Sequence, residues 1–238
     1  MKIIPTFLSR LLYTFVHESQ RFVVKNVYAD HNKSRSVRSA LSLLLEQNKS
    51  GLMLNIGSGD TKIHPNILNL DIQSGCNVDM VASADDIPLP DCCVDLIVSQ
   101  EVLEHVPNPS AALAEIYRVL KPGGCIYLQI PWVIGYHGCP KDFWRFSIDG
   151  ITQLVKDSGF SIENLDITVG PFTGFYRIAV EASGIFGSLF SSLFYKPFKL
   201  FAAIILSPLK LLDMLSFRSQ QSHRLAGGFF VVAIKRSQ

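Results

Sequence analysis

Two glycines and an aspartate, each at the end of an apolar segment, are the residues of this sequence best suited to bind a ligand. Gly57 and Gly59 follow the segment 52–56, and Asp71 ends the segment 67–71. Glycine adopts positive φ angles and allows a ligand to approach the backbone closely. A carboxylate at the tip of the neighbouring strand can accept hydrogen bonds from two vicinal ribose hydroxyls. The pattern therefore favours an adenosine-type nucleoside as the ligand.

The turn is not suited to a pyrophosphate, because the third glycine of the dinucleotide-binding pattern is absent. Asp60, Thr61 and Lys62 follow Gly59 instead. An acidic side chain beside the turn would repel a phosphate, whereas it would tolerate a cationic group such as a sulfonium or an amine. A dehydrogenase is disfavoured for the same reason.

Four further segments follow the turn in a fixed order. They are Ala84–Pro90, Val94–Ser99, Glu101–Val106 and Ile116–Gly124. With these segments, residues 52–131 resemble the class I S-adenosylmethionine-dependent methyltransferases. The resemblance implies an α/β fold, with a Rossmann-like, doubly wound seven-stranded sheet whose last strand is antiparallel. It also implies S-adenosyl-L-methionine as the cofactor.

By this resemblance, residues of the glycine turn and of the following strand ends are expected to bind the cofactor. They are Asn55, Gly57, Ser58, Gly59, Asp71, Ile72, Ser83, Ala84, Asp85, Ser99 and Gln100. Asn55 stands where the family usually has an acidic residue, and Ser83 stands where an aspartate is common. Only 11 residues separate Gly59 from Asp71, so the first crossover helix should be short or irregular. These departures keep open a binding protein that retains the fold without turnover.

The pattern of apolar residues predicts the order of strands and helices. Strands are expected at 52–57, 67–71, 79–82, 94–99, 125–130, 160–169 and 229–235, and helices at 37–47, 110–119 and 148–157, with Ser110 as a helix cap. The predicted organisation is an N-terminal helical extension (1–50), a cofactor-binding core (51–174), a hydrophobic helical insertion (175–227) and the last strand of the core (228–238).

The cysteines and the charges limit the classes of function. The five cysteines form no C-x-x-C pair, so neither a disulfide framework nor a zinc site is expected, and the sequence predicts no metal site. Residues 1–50 and 184–238 have net charges of +5 and +6, whereas residues 51–183 have a net charge of −9. The basic residues of the flanks are interspersed with Phe and Leu, which argues against a nucleic-acid partner and favours an anionic lipid surface.

Two apolar segments could contact that surface. Ile3–Val16 is interrupted by Arg10, which favours an amphipathic helix over a signal peptide. In residues 182–215, neither uncharged run reaches the ~20 residues of a spanning helix. Residues 184–215 are therefore expected either to pack on the domain or a second subunit, or to contact a membrane. The predicted location is cytoplasmic, peripheral to the inner face of the membrane.

The segment 131–146 after the fifth strand is rich in aromatic and polar residues. It resembles a subgroup of these methyltransferases associated with bacterial surface-glycan and cell-envelope pathways. His137 is the first candidate for a general base, with Asp142 as its orienting partner and His105 as the second candidate. Trp132, Tyr136, Trp144 and Arg145 are the candidates for substrate binding. The alternatives are that Trp144 packs in the core of the loop and that Arg145 forms a structural salt bridge with Asp142.

The sequence as a whole predicts an S-adenosylmethionine-dependent methyltransferase. The favoured acceptor is a hydroxyl group of a saccharide or of a lipid-linked envelope precursor. A membrane lipid or a quinone is the alternative acceptor. The oligomeric state is left open.

Overall fold

A computed structural model describes residues 35–216 and 219–236 of the chain. Its centre is a seven-stranded sheet in the order β3-β2-β1-β4-β5-β7-β6. The strands are β1 (Met53–Ile56), β2 (Ile67–Asp71), β3 (Met80–Val81), β4 (Val94–Gln100), β5 (Leu120–Pro131), β6 (Phe160–Val169) and β7 (Gly228–Lys235). The strands β1 to β5 pair in parallel, and β7 runs antiparallel between β5 and β6. The predicted fold class and its antiparallel last strand are confirmed.

Helices cover the sheet and form the segment that precedes β7. They are α1 (Arg35–Gln47), α2 (Pro109–Val119), α3 (Ile148–Asp157), α4 (Pro171–Ser188), α5 (Tyr195–Leu206) and α6 (Asp213–Ser216). Short 3-10 helices lie at Leu103–His105, Ser192–Phe194, Ser207–Leu212 and Ser222–Leu225. The predicted N-terminal helix, residues 3–16, lies outside the described residues.

Two local predictions differ from the structure. The N-cap of α2 is Asn108, whose side chain accepts a hydrogen bond from the backbone N–H of Ala111, so the prediction of a Ser110 cap is wrong. The strand β5 begins at Leu120 rather than at residue 125. Leu120 pairs with Val94, and the register shifts before Cys125 pairs with Leu96. The backbone between these pairs contains Pro122 and two glycines, which do not show the apolar pattern of a strand.

The sheet is apolar on both faces, because successive side chains of a strand point to opposite sides. On one face Leu54 and Ile56 of β1 pack in a cluster with residues of α2 and α3. On the other face Met53 of β1 packs in a cluster with Val37 and Leu45 of α1. Helices on both faces leave the carboxyl edge of the parallel strands open to a ligand.

No helix connects β1 to β2 over residues 57–66. The sequence predicted a short or irregular first crossover helix, and the connection is irregular. Side-chain amides support this connection instead. The buried Asn69 on β2 donates to the carbonyl oxygens of Thr61 (3.3 Å) and Asn77 (2.8 Å) and accepts from Asn55 (3.0 Å). These hydrogen bonds hold the loop that leads away from the glycine turn.

The segment between β6 and β7 is helical, and a buried carboxylate joins its two ends. Asp213 at the start of α6 accepts hydrogen bonds from the backbone N–H groups of Phe172 (2.8 Å) and Thr173 (3.0 Å). It also accepts one from the Thr173 hydroxyl (2.6 Å). The N-cap residue of α4, Gly170, has no side chain to satisfy these orphan N–H groups. Asp213 does so and fixes α6 against α4.

Candidate active site

The glycine turn after β1 has the conformation that the sequence predicts. Gly57 and Gly59 have φ angles of +66° and +50°. The N–H of Gly57 donates to the carbonyl oxygen of Leu70 (2.8 Å), and the N–H of Gly59 donates to Oδ2 of Asp71 (2.8 Å). A Cβ atom on Gly57 would lie 2.2 Å from Cγ2 of Val102. The turn is therefore closed against the segment that follows β4, and only glycine fits at Gly57.

A cavity of about 530 Å³ opens between this turn and the loop after β5. Its walls come from the ends of β1 and β2, the segments after β3 and β4, and the loop 132–147. The predicted site residues on these walls are Gly57, Gly59, Asp71, Ile72, Ser83, Ala84, His105 and His137. The structure thus brings together the nucleoside-binding candidates and two of the three catalytic candidates.

The other cofactor-binding candidates do not line the cavity: Ser99 is buried, and the other four have hydrogen-bond partners elsewhere. Asn55 is buried in the sheet and donates to Asn69, and Ser99 is buried in β4. The hydroxyl of Ser58 donates to the carbonyl oxygen of its neighbour Gly59 (3.0 Å). Asp85 accepts a hydrogen bond from the Ser83 hydroxyl, and Gln100 donates to the side chain of Gln129 (3.2 Å).

The loop 132–147 is attached to the 3-10 helix that follows β4. The backbone N–H groups of Phe143 and Trp144 both donate to the carbonyl oxygen of Glu104, at 2.8 and 3.2 Å. The indole N–H of Trp144 donates to the carbonyl oxygen of Val106 (3.0 Å). These bonds carry residues of the loop over the end of β4 and bring His137 next to Glu104 and His105.

Glu104, His105 and His137 form a compact cluster at the cavity wall. Nε2 of His137 lies 3.6 Å from Oε1 of Glu104, and Nε2 of His105 lies 3.7 Å from the same oxygen. The two imidazole rings meet edge to face, with centroids 4.9 Å apart. Glu104 is completely buried. Its carboxylate, together with Asp142, raises the pKa of His137 above its ordinary value, although burial of the ring opposes the shift.

Asp142 supports the loop from beneath His137. Arg145 binds its carboxylate through both terminal nitrogens, each at 2.5 Å. These hydrogen bonds lower the pKa of Asp142 to about 2. Asp142 also accepts a hydrogen bond from the backbone N–H of His137 (2.9 Å). It is therefore an ionised positioning residue, and the arginine that was a substrate-binding candidate is used to hold it.

The aromatic candidates of the loop are outside the cavity wall. Trp144 stacks near Phe146, with ring centroids 6.4 Å apart, and its indole is hydrogen-bonded as described. Trp132 is partly buried against the core, whereas Tyr136 is 80% exposed. Phe143, which is not among the predicted site residues, lines the cavity instead.

Two acidic residues of the site were not predicted as site residues. Glu101 lines the cavity and has a φ angle of +57°, which is unusual for a residue with a side chain. Glu104 is buried behind the two histidines. The sequence signal was the pair of glutamates three residues apart, directly after a buried strand and directly before His105.

Comparisons with known proteins agree with this geometry. Residues 60–128 match the family described as methyltransferase domain. Over 95 residues the chain is 30% identical to a protein of Mycolicibacterium smegmatis named "Probable S-adenosylmethionine-dependent methyltransferase", covering 37% of this chain and 36% of that protein. Over 112 residues it is 34% identical to the ubiquinone/menaquinone biosynthesis C-methyltransferase UbiE of Rickettsia typhi, covering 44% of each. The matched segments thus span less than half of these curated relatives.

Solved structures share the fold at low sequence identity. A 1,6-didemethyltoxoflavin-N1-methyltransferase of Burkholderia thailandensis matches with a TM-score of 0.52 and 11% identity, covering 100% of this chain and 92% of that chain. An S-adenosylmethionine-dependent methyltransferase of Mesorhizobium loti matches with a TM-score of 0.51 and 15% identity, covering 85% of this chain and 98% of that chain.

Within the described residues, 35–216 and 219–236, no helix is long and apolar enough to cross a bilayer.

The cofactor predicted from the sequence is confirmed, because S-adenosylmethionine is the methyl donor of the matched family. Together, the matched segment, the strand order and the glycine turn with Asp71 make this domain similar to the class I S-adenosylmethionine-dependent methyltransferases.

Proposed function

We propose that this protein transfers the methyl group of S-adenosylmethionine to a hydroxyl group of an acceptor. The observation that carries the proposal is the composition of one cavity. It has a nucleoside-binding wall, Gly57, Gly59 and Asp71, and a second wall with His105 and His137. The first wall suits the ribose and the amino-acid end of the cofactor. The second offers polar groups to an acceptor.

The transfer is an in-line displacement, for which alignment of the reacting atoms matters most. The acceptor oxygen forms a bond to the methyl carbon while the carbon–sulfur bond breaks, and the electron pair of that bond stays on sulfur. The acceptor hydroxyl transfers its proton to a base on the second wall. His137 is the predicted base, and Asp142 positions His137 through its backbone N–H. The products are the methyl ether and S-adenosylhomocysteine.

For the acceptor we propose a saccharide or a lipid-linked envelope precursor. The polar, aromatic loop 132–147 supports this class, because hydroxyl-rich ligands are bound by a few polar groups among apolar side chains. A membrane lipid or a quinone is the second candidate. It is favoured by the likeness to UbiE, named for ubiquinone and menaquinone biosynthesis, and by the exposed apolar helices before β7.

The cofactor half of the proposal predicts that Asp71→Ala weakens binding of S-adenosylmethionine by at least ~100-fold, or ~2.7 kcal/mol. The variant removes the carboxylate that would hold the ribose and that also accepts the Gly59 N–H. Calorimetric titration with S-adenosylmethionine measures the loss. Asp166→Ala, an exposed aspartate on β6 at the far side of the sheet, is the matched control.

Equal affinity in Asp71→Ala and the wild-type chain would contradict the assignment of this wall. Transfer of a labelled methyl group into envelope extracts then tests turnover. Saturable cofactor binding without transfer to any extract fraction would favour the binding protein that keeps the fold without activity.

We also propose that the protein associates with an anionic membrane surface through residues 184–215. Large apolar side chains are exposed along α4, α5 and the segments around them. They are Ile185, Phe186, Leu189, Phe190, Leu193, Phe201, Ile204, Ile205, Leu211, Met214 and Leu215. The charged residues in this range are three lysines and Asp213. Lys196 is exposed beside the apolar side chains. Exposed apolar residues flanked by lysine favour an anionic bilayer interface.

Vesicle flotation tests this surface. The double variant Leu189→Glu with Leu193→Glu should lose binding to phosphatidylglycerol vesicles, because both side chains, 75% and 82% exposed, would become anionic. Leu43→Glu is the control, since Leu43 is 57% exposed on α1. Flotation of the double variant at the wild-type level would rule out this surface, and equal binding to neutral vesicles would rule out the role of charge.

A further inference from the structure

The cluster of Glu104, His105 and His137 is unusual because its central carboxylate lacks hydrogen-bond partners. Glu104 is completely buried, and neither of its carboxylate oxygens accepts a hydrogen bond. Nε2 of His137 is likewise buried without a partner. Burying a carboxylate that accepts no hydrogen bond is unfavourable without compensation by another group. A cation at the centre of the cluster would supply that compensation.

A contact of Nδ1 fixes the tautomer of His105. Nδ1 of His105 lies 2.5 Å from the carbonyl oxygen of Lys141, so Nδ1 must carry the hydrogen and donate it. The lone pair of His105 is then on Nε2, the atom that faces Glu104.

The surroundings of His137 allow the same orientation. Its Nδ1 lies 3.5 Å from Oδ2 of Asp142 and 3.4 Å from Nη2 of Arg145. Both hydrogens of that Nη2 are already donated, to Asp142 (2.5 Å) and to the carbonyl oxygen of Gly135 (3.1 Å). A hydrogen on Nδ1 of His137 would point toward Asp142 and would leave the lone pair on Nε2, which faces Glu104. Histidines that bind metals are oriented in this way, by an oxygen that accepts the hydrogen of the other ring nitrogen.

We propose that Glu104, His105 and His137 bind a divalent transition-metal cation through the glutamate carboxylate and the two Nε2 atoms. The candidate ligand atoms of the three residues all lie within 4.8 Å of one another. Metal–ligand bonds of ~2.0–2.2 Å place two ligand atoms up to ~4.4 Å apart, so small side-chain movements complete the site. Two imidazoles and a carboxylate select Mn²⁺, Fe²⁺, Co²⁺ or Zn²⁺ over Ca²⁺ and Mg²⁺, which prefer oxygen ligands.

The absence of cysteine pairs in the sequence does not bear on this site, because it uses no sulfur ligand. The site forms only where the loop after β5 lies over the end of β4. His105 and His137 line the cavity, so open coordination positions of the cation would face the acceptor.

The role of the cation rests on the proposed function. Coordination of the acceptor hydroxyl lowers the pKa of that hydroxyl, so its proton passes to bulk water. The oxygen then attacks the methyl carbon, the carbon–sulfur bond breaks, and its electron pair stays on sulfur. The cation keeps its oxidation state. In this case His137 acts as a ligand rather than as the base.

Co²⁺ is the probe for the test, because its visible absorption reports the ligands around it. The full-length chain is treated with EDTA, desalted and titrated with CoCl₂, with uptake followed by calorimetry and by absorption. We expect one equivalent of Co²⁺ with the absorption bands of a site that contains nitrogen ligands. Glu104→Gln and His137→Ala should each lower the affinity by at least ~10–100-fold. His223→Ala, a histidine outside the cavity wall, should bind Co²⁺ as the wild-type chain does.

Thermal unfolding of each variant shows whether it is folded. Saturating Co²⁺ should raise the Tm of the wild-type chain and of His223→Ala but not that of Glu104→Gln. Wild-type protein that takes up no Co²⁺, Zn²⁺ or Mn²⁺, or equal uptake by Glu104→Gln and His137→Ala, would overturn the inference.

Titration with S-adenosylmethionine in the presence of EDTA separates this result from the proposed function. Cofactor binding without metal uptake would overturn the metal site alone and leave His137 as the predicted base. Metal uptake without cofactor binding would overturn the proposed function and leave the metal site standing.

Discussion

Replacing Gly57 with valine should abolish measurable binding of S-adenosylmethionine, a loss of more than ~100-fold in affinity. Two effects act together. The φ angle of +66° is strained for a β-branched residue, and the new Cβ would lie 2.2 Å from Cγ2 of Val102. Val102 lines the cavity, so relief of the contact moves either the turn or the cavity wall. Calorimetric titration with the cofactor measures the effect.

Gly123→Val is the matched control for the strain alone. Gly123 has a φ angle of +81°, and a Cβ atom there meets nothing within 4 Å. It lies in β5 outside the cavity wall, so this variant should lose some stability but keep its cofactor affinity. Circular dichroism establishes that both variants are folded. A folded Gly57→Val protein with wild-type affinity would show that the cofactor does not bind against this turn.

Replacing His137 with alanine should lower turnover by ~10²–10⁴-fold while changing the affinity for S-adenosylmethionine little. His137 is in the loop after β5, across the cavity from the glycine turn, and its Nε2 faces the buried Glu104. It serves the acceptor side as the predicted base or as a ligand of the proposed cation. Transfer of labelled methyl groups into envelope extracts, together with cofactor titration of the same preparation, measures the two quantities.

His223→Ala makes the same chemical change in the 3-10 helix before β7, and it should keep wild-type turnover. If His137→Ala transferred methyl groups at the wild-type rate, His137 would be a structural residue of its loop. A parallel fall in turnover and in cofactor affinity would instead point to a disturbed cavity.

The sequence was sufficient for the strands of the sheet and for the cofactor-binding turn, because both depend on short segments. Apolar runs such as 94–99 and 229–235 are buried strands in the structure, and the alternating sides of β1 reach the two faces of the sheet. Gly57 and Gly59 have the positive φ angles that their place after a strand predicts. Asp71 lies beside Gly59 because parallel neighbours end at the same edge of the sheet.

The tertiary structure decided which partner each polar side chain binds. Arg145 was a candidate for binding substrate, but its hydrogen bonds are used by Asp142 and by backbone carbonyl oxygens of its own loop. Asn55 matches the position of a cofactor-binding residue, yet its amide faces Asn69 inside the sheet. A side chain of either kind has several available partners, and burial and direction decide among them.

The Glu104 cluster is the clearest case. His105 and Glu104 are adjacent in sequence, but His137 reaches them only because the N–H groups of Phe143 and Trp144 bind the Glu104 carbonyl oxygen. Periodicity specifies which side of an element is buried, since it depends on neighbours along the chain. The meeting of two loops over a strand end depends on the packing of the whole sheet, and it is this packing that leaves a buried carboxylate facing two imidazoles.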